Sequence, residues 1–496
     1  MNPSPEFLAQ HFTRFPSGNA APTRRQFLQR TGMGLGMLGL AGLLKPFSAG
    51  AADTLSGTLK GAQPMQFAPK AKHVIHIFLE GAPSHLDTWD PKPELKRIDG
   101  QSLPSGGGLA FGSPFDFIKQ GQSGIEVSSV LPELGKMVDD MTVIRSLWTD
   151  IPAHEPATVF MNTGSLRLPR PSMGSWSLYG LGSLNENLPG YVSLRGANLP
   201  TGATANWQSV FLPGRFQGTS VNTNAGDVSR IIENLRNPFV SLPDQRRQLD
   251  LVRQLDEMHN KALDNDSQLE AEIASFEMAF RMQTEATDAF DVSKETAATR
   301  EAYGIGGAGS AAIGKARGKK APPNPAEVGK RLLIARRLVE RGVRFVQVFA
   351  GGWDMHGNLK DSMENRAGGI DQPIAALLKD LKQRGMLDST LVIIGGEFGR
   401  TAGRDRNGQG ETAGRDHNAR GFCACLAGGG VKGGYVHGAT DELGQAAVVD
   451  KVHVHDLHAT VLRLLGFDHE KLTYRYNGRD FRLTDVAGKV VSPILA

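Results

Sequence analysis

The stretch EVGKRLLIARRLVERGVRFVQVFAGG (Glu327 to Gly352), with DQPIAALLKDLKQRGMLDSTLVIIGGEFG (Asp371 to Gly399) after it, decides the fold. In each, apolar residues first recur at three- and four-residue spacing, the period of a helix with one buried face. They then run without interruption for five or so residues, as in a strand buried on both faces. Gly342 closes the first helix. Helix then strand, twice over, argues for parallel strands joined by crossover helices. Working outward, GFCACLAGG (Gly421 to Gly429) reads as a further strand and VHDLHATVLRLLG (Val454 to Gly466) as a helix. Toward the N-terminus, HVIHIFLEG (His73 to Gly81) reads as a first strand and MTVIRSL (Met141 to Leu147) as a second. The expectation is an α/β domain of three layers, a largely parallel sheet with helices on both faces.

Two segments interrupt this alternation. Residues 165–235, rich in Gly, Pro, Ser and Asn, read as an irregular insertion, and residues 243–298 as a helical insertion of two amphipathic helices. Gly304 to Pro325 reads as a flexible basic loop. Gly is abundant, 60 of 496 residues, against a usual share of about 7%, which fits an α/β protein with elaborate loops. A composition 40% hydrophobic and 21% charged excludes disorder throughout. Cys423 and Cys425, the only cysteines, fall two apart in a strand and so on one face, where a disulfide between them is disfavoured.

Residues 1–51 read as an export signal. Paired Arg24 and Arg25 precede Phe27 and Leu28, a Gly-rich apolar run follows from Thr31 to Leu44, and Ala49-Gly50-Ala51 offers a cleavage site. The apolar run is shorter than the roughly 20 residues of a membrane span, so the pattern is that of a twin-arginine signal, and the mature chain is expected in the periplasm or secreted, with no transmembrane segment. Taking the five basic residues and the one acidic residue of this leader from the 55 and 51 of the whole chain leaves equal numbers of each sign. A neutral body gives no support for nucleic-acid binding.

The polar residues collect after the expected strands, where α/β sheets place functional groups. EGAPSHLDTWDPKP carries Glu80, His85, Asp87 and Asp90; HEPATVFMNTG carries His154 and Glu155. GGWDMHGN carries Asp354 and His356, GGEFGRT carries Glu397 and Arg400, and GRDH carries Asp416 and His417. Carboxylates beside imidazoles suit divalent ions of intermediate hardness. Asp90 and Lys92 read as turn and salt-bridge residues, while His85, Asp87 and Glu155 receive no role.

These residues carry a resemblance. GAPSHLDTWDPKP, GWDMHGN, GGEFGRT and GRDH resemble the bacterial family catalogued as domain of unknown function 1501, from about residue 70 to the end. That family looks like a branch of the alkaline phosphatase and sulfatase superfamily. The resemblance implies an alkaline-phosphatase-like fold and a site of one or two divalent ions (Zn, Mn, Fe or Ca), with Glu80, Asp354, His356, Glu397, Asp416 and His417 as ligands. Sulfatases carry Cys-x-Pro-Ser-Arg followed by Thr-Gly. Here Pro156 and Thr163-Gly164 agree at the same spacing, but His154 stands at the nucleophile position, the Ser-Arg pair is absent, and Phe398 replaces a metal-binding residue.

The implied activity is an exported, metal-dependent hydrolase of phosphate or sulfate esters, acting on an anionic ester or polysaccharide. In it His154 is a ligand, general base or nucleophile, and Arg400 clamps the anion. The competing expectations are a catalytically degenerate member that binds envelope polysaccharide or protein, and an assembly factor of an exported complex.

Overall fold

The computed structural model describes residues 62–104, 106, 108–185, 187–224, 241–260, 287–306, 325–405 and 412–496. The leader, the second expected amphipathic helix of the insertion and most of the basic loop lie outside them.

In chain order the main elements are β1 (His73–Phe78), β2 (Met141–Trp148), α1 (His154–Thr163), α2 (Met173–Leu181), β3 (Tyr191–Arg195) and β4 (Thr219–Asn222). After α3 (Leu242–Asn260) come α4 (Pro325–Glu340), β5 (Phe345–Phe349), α5 (Leu359–Gln383) and β6 (Thr390–Gly395). The chain ends with β7 (Phe422–Ala427), β8 (Tyr435–His437), β9 (Val452–His453) and α6 (Val454–Leu464).

The strands form one nine-stranded sheet in the order β8-β2-β7-β6-β1-β5-β3-β4, with β9 also on β2. Every pair in it is parallel except those of β7, which runs antiparallel to β6 and β2. Side chains alternate across each strand, so one strand feeds two cores. Ile75, Ile77, Val346, Val348, Val392 and Ile394 pack with Leu332, Leu338, Ile374 and Leu378 of α4 and α5 on one face. On the other, Val74, Phe78, Phe345, Phe349, Leu391 and Ile393 pack with Phe160, Trp176, Leu457 and Val461 of α1, α2 and α6. This is the expected three-layer α/β sandwich with a largely parallel sheet. Cys423 and Cys425 are free, buried and on the α4/α5 face together.

The region 165–235 departs from the expectation. It holds α2 and two strands, β3 and β4, that extend the main sheet beyond β5. All five residues of β3 are buried, so the strand shows no alternation to read, and the Gly- and Pro-rich connections mask it. Of the helical insertion, α3 is present as expected. No helix among the described residues is long and apolar enough to cross a membrane.

Candidate metal centre

Parallel strands bring their C-terminal ends to one edge of the sheet, and β7, running the other way, brings its N-terminal end there. Four loops therefore meet: Glu80–Gly81 after β1, Trp353–His356 after β5, Glu397–Arg400 after β6, and His417 just before β7. His154 enters from β2 as the first residue of α1. A two-residue antiparallel pair, His417 opposite Arg400 and Asn418 opposite Gly399, joins two of these loops. Their approach is close enough to demand glycine at residue 81: it has φ +103°, and a Cβ would lie 2.7 Å from the Asp354 nitrogen. Gly164 ends α1 in the left-handed conformation (φ +67°), where a Cβ would lie 2.2 Å from the Leu483 carbonyl oxygen. The Thr-Gly of the sequence motif is thus a helix stop.

Asp354 is the centre of the arrangement. Its Oδ1 lies 2.9 Å from His356 Nε2, 3.1 Å from His154 Nε2, 3.2 Å from His417 Nε2 and 2.8 Å from Arg400 Nη2. His356 Nε2 and His417 Nε2 are themselves 3.0 Å apart. Each imidazole is anchored through its other nitrogen: His154 Nδ1 to Glu397 Oε1 at 2.6 Å, His356 Nδ1 to Asp405 Oδ2 at 2.6 Å, and His417 Nδ1 to the Pro152 carbonyl at 2.9 Å. Burial would raise the Asp354 carboxyl pKa, but the close approach of His154, His417 and Arg400 overcomes it and holds the group well below the usual carboxylate range. Burial likewise would lower that of His154; the Asp354 and Glu397 carboxylates outweigh it and raise it to about 9.

The donor set fits a cation. One carboxylate oxygen has two lone pairs and does not accept four hydrogen bonds. Two Nε2 atoms 3.0 Å apart satisfy one another only if one is protonated and the other not. If each imidazole keeps its proton on Nδ1, against Glu397, Asp405 and the Pro152 carbonyl, every Nε2 presents a lone pair beside a carboxylate. That is how metal-ligating histidines are oriented. His154, Asp354 and His417 offer ligand atoms within 4.8 Å of one another, as do His356, Asp416 and His417. The Phe398 ring, 4.9 Å from that of His154 and 4.8 Å from that of His417, forms an apolar wall, while Asp354 and Asp416 face solvent.

Six of the eight expected site residues meet here: His154, Asp354, His356, Asp416, His417 and, behind His154, Glu397. Two take other roles. Glu80 joins neither ligand group; its Oε1 accepts hydrogen bonds from Thr201 N at 2.6 Å and Thr201 Oγ1 at 2.5 Å, which hold the carboxylate there. Arg400 is not available as an anion clamp. It is 1% exposed, and its guanidinium donates to the carbonyls of Ala82, Arg415 and Gly81 as well as to Asp354. It ties the strand-end loops together. Glu397 is fully buried and also accepts from Gly81 N, so it supports His154 and does not face the open side. Asp405, 6% exposed, is the residue that sequence reasoning missed.

The first polar cluster, Glu80 aside, is a brace. Asp87 and Arg415 form a bidentate ion pair at 2.7 and 3.0 Å with both side chains fully buried. His85 Nε2 bonds the Gly444 carbonyl at 2.9 Å. Asp90 pairs with Lys92 at 2.9 Å, as expected. Glu155 is exposed.

A family model described as protein of unknown function, DUF1501, matches residues 71–495. The chain belongs to that family. No curated protein matches it in sequence. Among solved structures, this DUF1501 protein is similar to the PsFucS1 sulfatase from Pseudoalteromonas sp. (12% identity over 81% of this chain and 68% of that one, TM-score 0.34). It is also similar to the phosphonate monoester hydrolase SpPMH from Silicibacter pomeroyi (12% identity over 86% and 76%, TM-score 0.36). A third likeness is to the lipoteichoic acid synthase LtaP from Listeria monocytogenes (10% identity over 86% and 78%, TM-score 0.34).

Proposed function

We propose that this DUF1501 protein is an exported hydrolase of phosphate or sulfate esters that depends on a divalent cation held by Asp354, His356 and His417. The observation that carries the reading is the convergence of imidazole Nε2 atoms on Asp354 Oδ1 at the solvent-facing edge of the sheet. When bound, a divalent cation polarises an ester oxygen and lowers the pKa of water. The chain's own residues do the rest. Asp405 Oδ2 and the Pro152 carbonyl keep protons on His356 Nδ1 and His417 Nδ1. Arg400 fixes the Asp354 carboxylate, and Phe398 keeps water from one side. The position that resembles the sulfatase nucleophile is filled by His154, whose Nδ1 is committed to Glu397. Its Nε2 is turned to Asp354, and water is the attacking group in this reading. Anionic ester or polysaccharide substrates would reach the site from the side of Asp354 and Asp416.

A second reading, a cation-containing member that binds envelope polysaccharide or protein without turnover, is favoured by one observation. Arg400, the cationic side chain expected to grip the anion, is buried and bonded to protein. Export through residues 1–51 belongs to both readings. Elemental analysis of protein purified from the periplasm, with turnover of p-nitrophenyl phosphate and sulfate, separates them. The hydrolase reading expects bound cation and chelator-sensitive turnover. Cation without turnover supports the binder, and no cation after reconstitution at neutral pH removes the first reading. Arg24→Lys with Arg25→Lys should abolish periplasmic yield, because Lys lacks the guanidinium fork; normal yield would sink the export assignment.

A further inference from the structure

We infer that His154 is a direct ligand of the cation, its Nε2 joining Asp354 and His417, with Glu397 as the carboxylate that positions it. The inference rests on the cation reading above and changes what His154 does within it: the residue at the nucleophile position holds the cation and takes no covalent part.

Three observations carry it. The first is aim. The His154 ring is fixed by a 2.6 Å hydrogen bond from Nδ1 to Glu397 Oε1, and Glu397 is itself fully buried and held by the Gly81 N–H at 3.0 Å. A carboxylate behind one ring nitrogen sets the tautomer and presents the lone pair of the other.

The second is that Nε2 is shielded from solvent and has no aligned hydrogen-bond partner. Its 3.1 Å approach to Asp354 Oδ1 is close contact without the direction of an N–H···O bond. A buried imidazole nitrogen aimed into a polar cluster and left unpaired there calls for an electrophile.

The third is spacing. Ligand atoms sharing one cation at bonds of about 2.0–2.1 Å stand roughly 2.8–3.4 Å from their neighbours, from octahedral to tetrahedral arrangement. His154 Nε2 and His417 Nε2 stand 3.1 and 3.2 Å from Asp354 Oδ1.

Binding and spectroscopy test this without reference to turnover. In wild-type protein loaded with Co²⁺, proton NMR counts the shifted, exchangeable imidazole N–H signals of the ligating histidines. Three are expected, from His154, His356 and His417. His154→Asn keeps a donor for Glu397 and removes Nε2; it should bind Zn²⁺ at least ~100-fold more weakly and change the Co²⁺ visible spectrum. Glu397→Gln should weaken Zn²⁺ binding by about 10–100-fold and move one of the three N–H signals. Two signals in the wild type, or His154→Asn with Zn²⁺ affinity within ~3-fold and an unchanged Co²⁺ spectrum, would overturn the assignment of His154 alone. Wild-type protein that binds neither ion would overturn the cation reading itself. If His154→Asn does not fold, the wild-type signal count still decides.

Discussion

Asp405→Asn tests how far the proposed centre depends on a buried residue that supports one of its imidazoles from behind. The Asp405 carboxylate is 5% exposed and accepts the His356 Nδ1 hydrogen bond at 2.6 Å. Asparagine has nearly the same shape, so packing is preserved and the cost is electronic. If it turns its oxygen to His356, a charge-assisted bond becomes a neutral one, a loss of about 1–1.5 kcal/mol. If it turns its amide, Nδ1 becomes the acceptor and the proton moves to Nε2, removing the lone pair that faces Asp354. The first case weakens cation binding by about tenfold; the second removes a ligand and costs about 100-fold. The assay is Zn²⁺ affinity by competition with a chelator at pH 7.5, beside thermal melts of the metal-free protein, which should shift by no more than a few degrees. An affinity within threefold of wild type, with the fold intact, would show that His356 is not oriented by Asp405.

Two further outcomes follow from the fold. Asp87→Asn leaves the fully buried Arg415 guanidinium facing a neutral amide, so urea unfolding should report a loss of about 3–5 kcal/mol with m unchanged; a loss under 1 kcal/mol would show that the first cluster is not a brace. Burial lowers the pKa of His76 to about 4, and chiefly burial lowers that of His458 to about 3, both below the unfolded value of 6.5. The unfolded chain then binds more protons as pH falls below 6.5, so their contribution to stability is complete above that pH and is lost below it. Each should cost about 2 kcal/mol between pH 7 and pH 5, and urea unfolding of His458→Leu should show a loss over that interval smaller than wild type by that amount. An equal loss in both proteins would mean that His458 titrates normally.

Much of the fold could be read because its signals are local. Strands β1, β5 and β6 are apolar runs that end in Gly, and α4 carries its buried residues, Val328, Leu332, Ala335 and Leu338, at helical spacing. The elements that escaped notice are those whose reasons are tertiary. β3 is a strand because β5 supplies its ladder, Val192 beside Val346 and Leu194 beside Val348. α5 begins at Leu359, well before Asp371, although Gly368, Gly369 and Pro373 punctuate its sequence. Burial of Leu359, Met363 and Ala367 against the α4 side of the sheet outweighs those weak formers. The site divides in the same way. Asp354, His356 and His417 sit a few residues beyond strand ends and could be found there. Asp405 could not: it lies in a Gly- and Arg-rich loop, and it is brought to His356 by a bridge between Gly357 and Ala413 and by its backbone bond to Gly414. Nor does sequence separate an arginine that grips an anion from one that donates to three carbonyls.

That last distinction bears on what chemistry the centre can support. Arg400 holds the Gly81, Ala82 and Arg415 carbonyls and the Asp354 carboxylate at once, so the loops after β1, β5 and β6 move together or not at all. The proposed ligands Asp354, His356 and His417 are then held on rigid supports, which would lower the ordering cost of binding a cation. Glu80 is bonded to Thr201, and Glu397 to His154 and Gly81. A fully buried Glu397 still needs a positive or hydrogen-bonding partner, and His154 supplies it through Nδ1. The imidazole thus compensates Glu397 on one side and faces Asp354 on the other. The ring of Phe398, 4.9 Å from that imidazole, packs on the side chain that compensates Glu397, so His154 and Phe398 are placed as a unit.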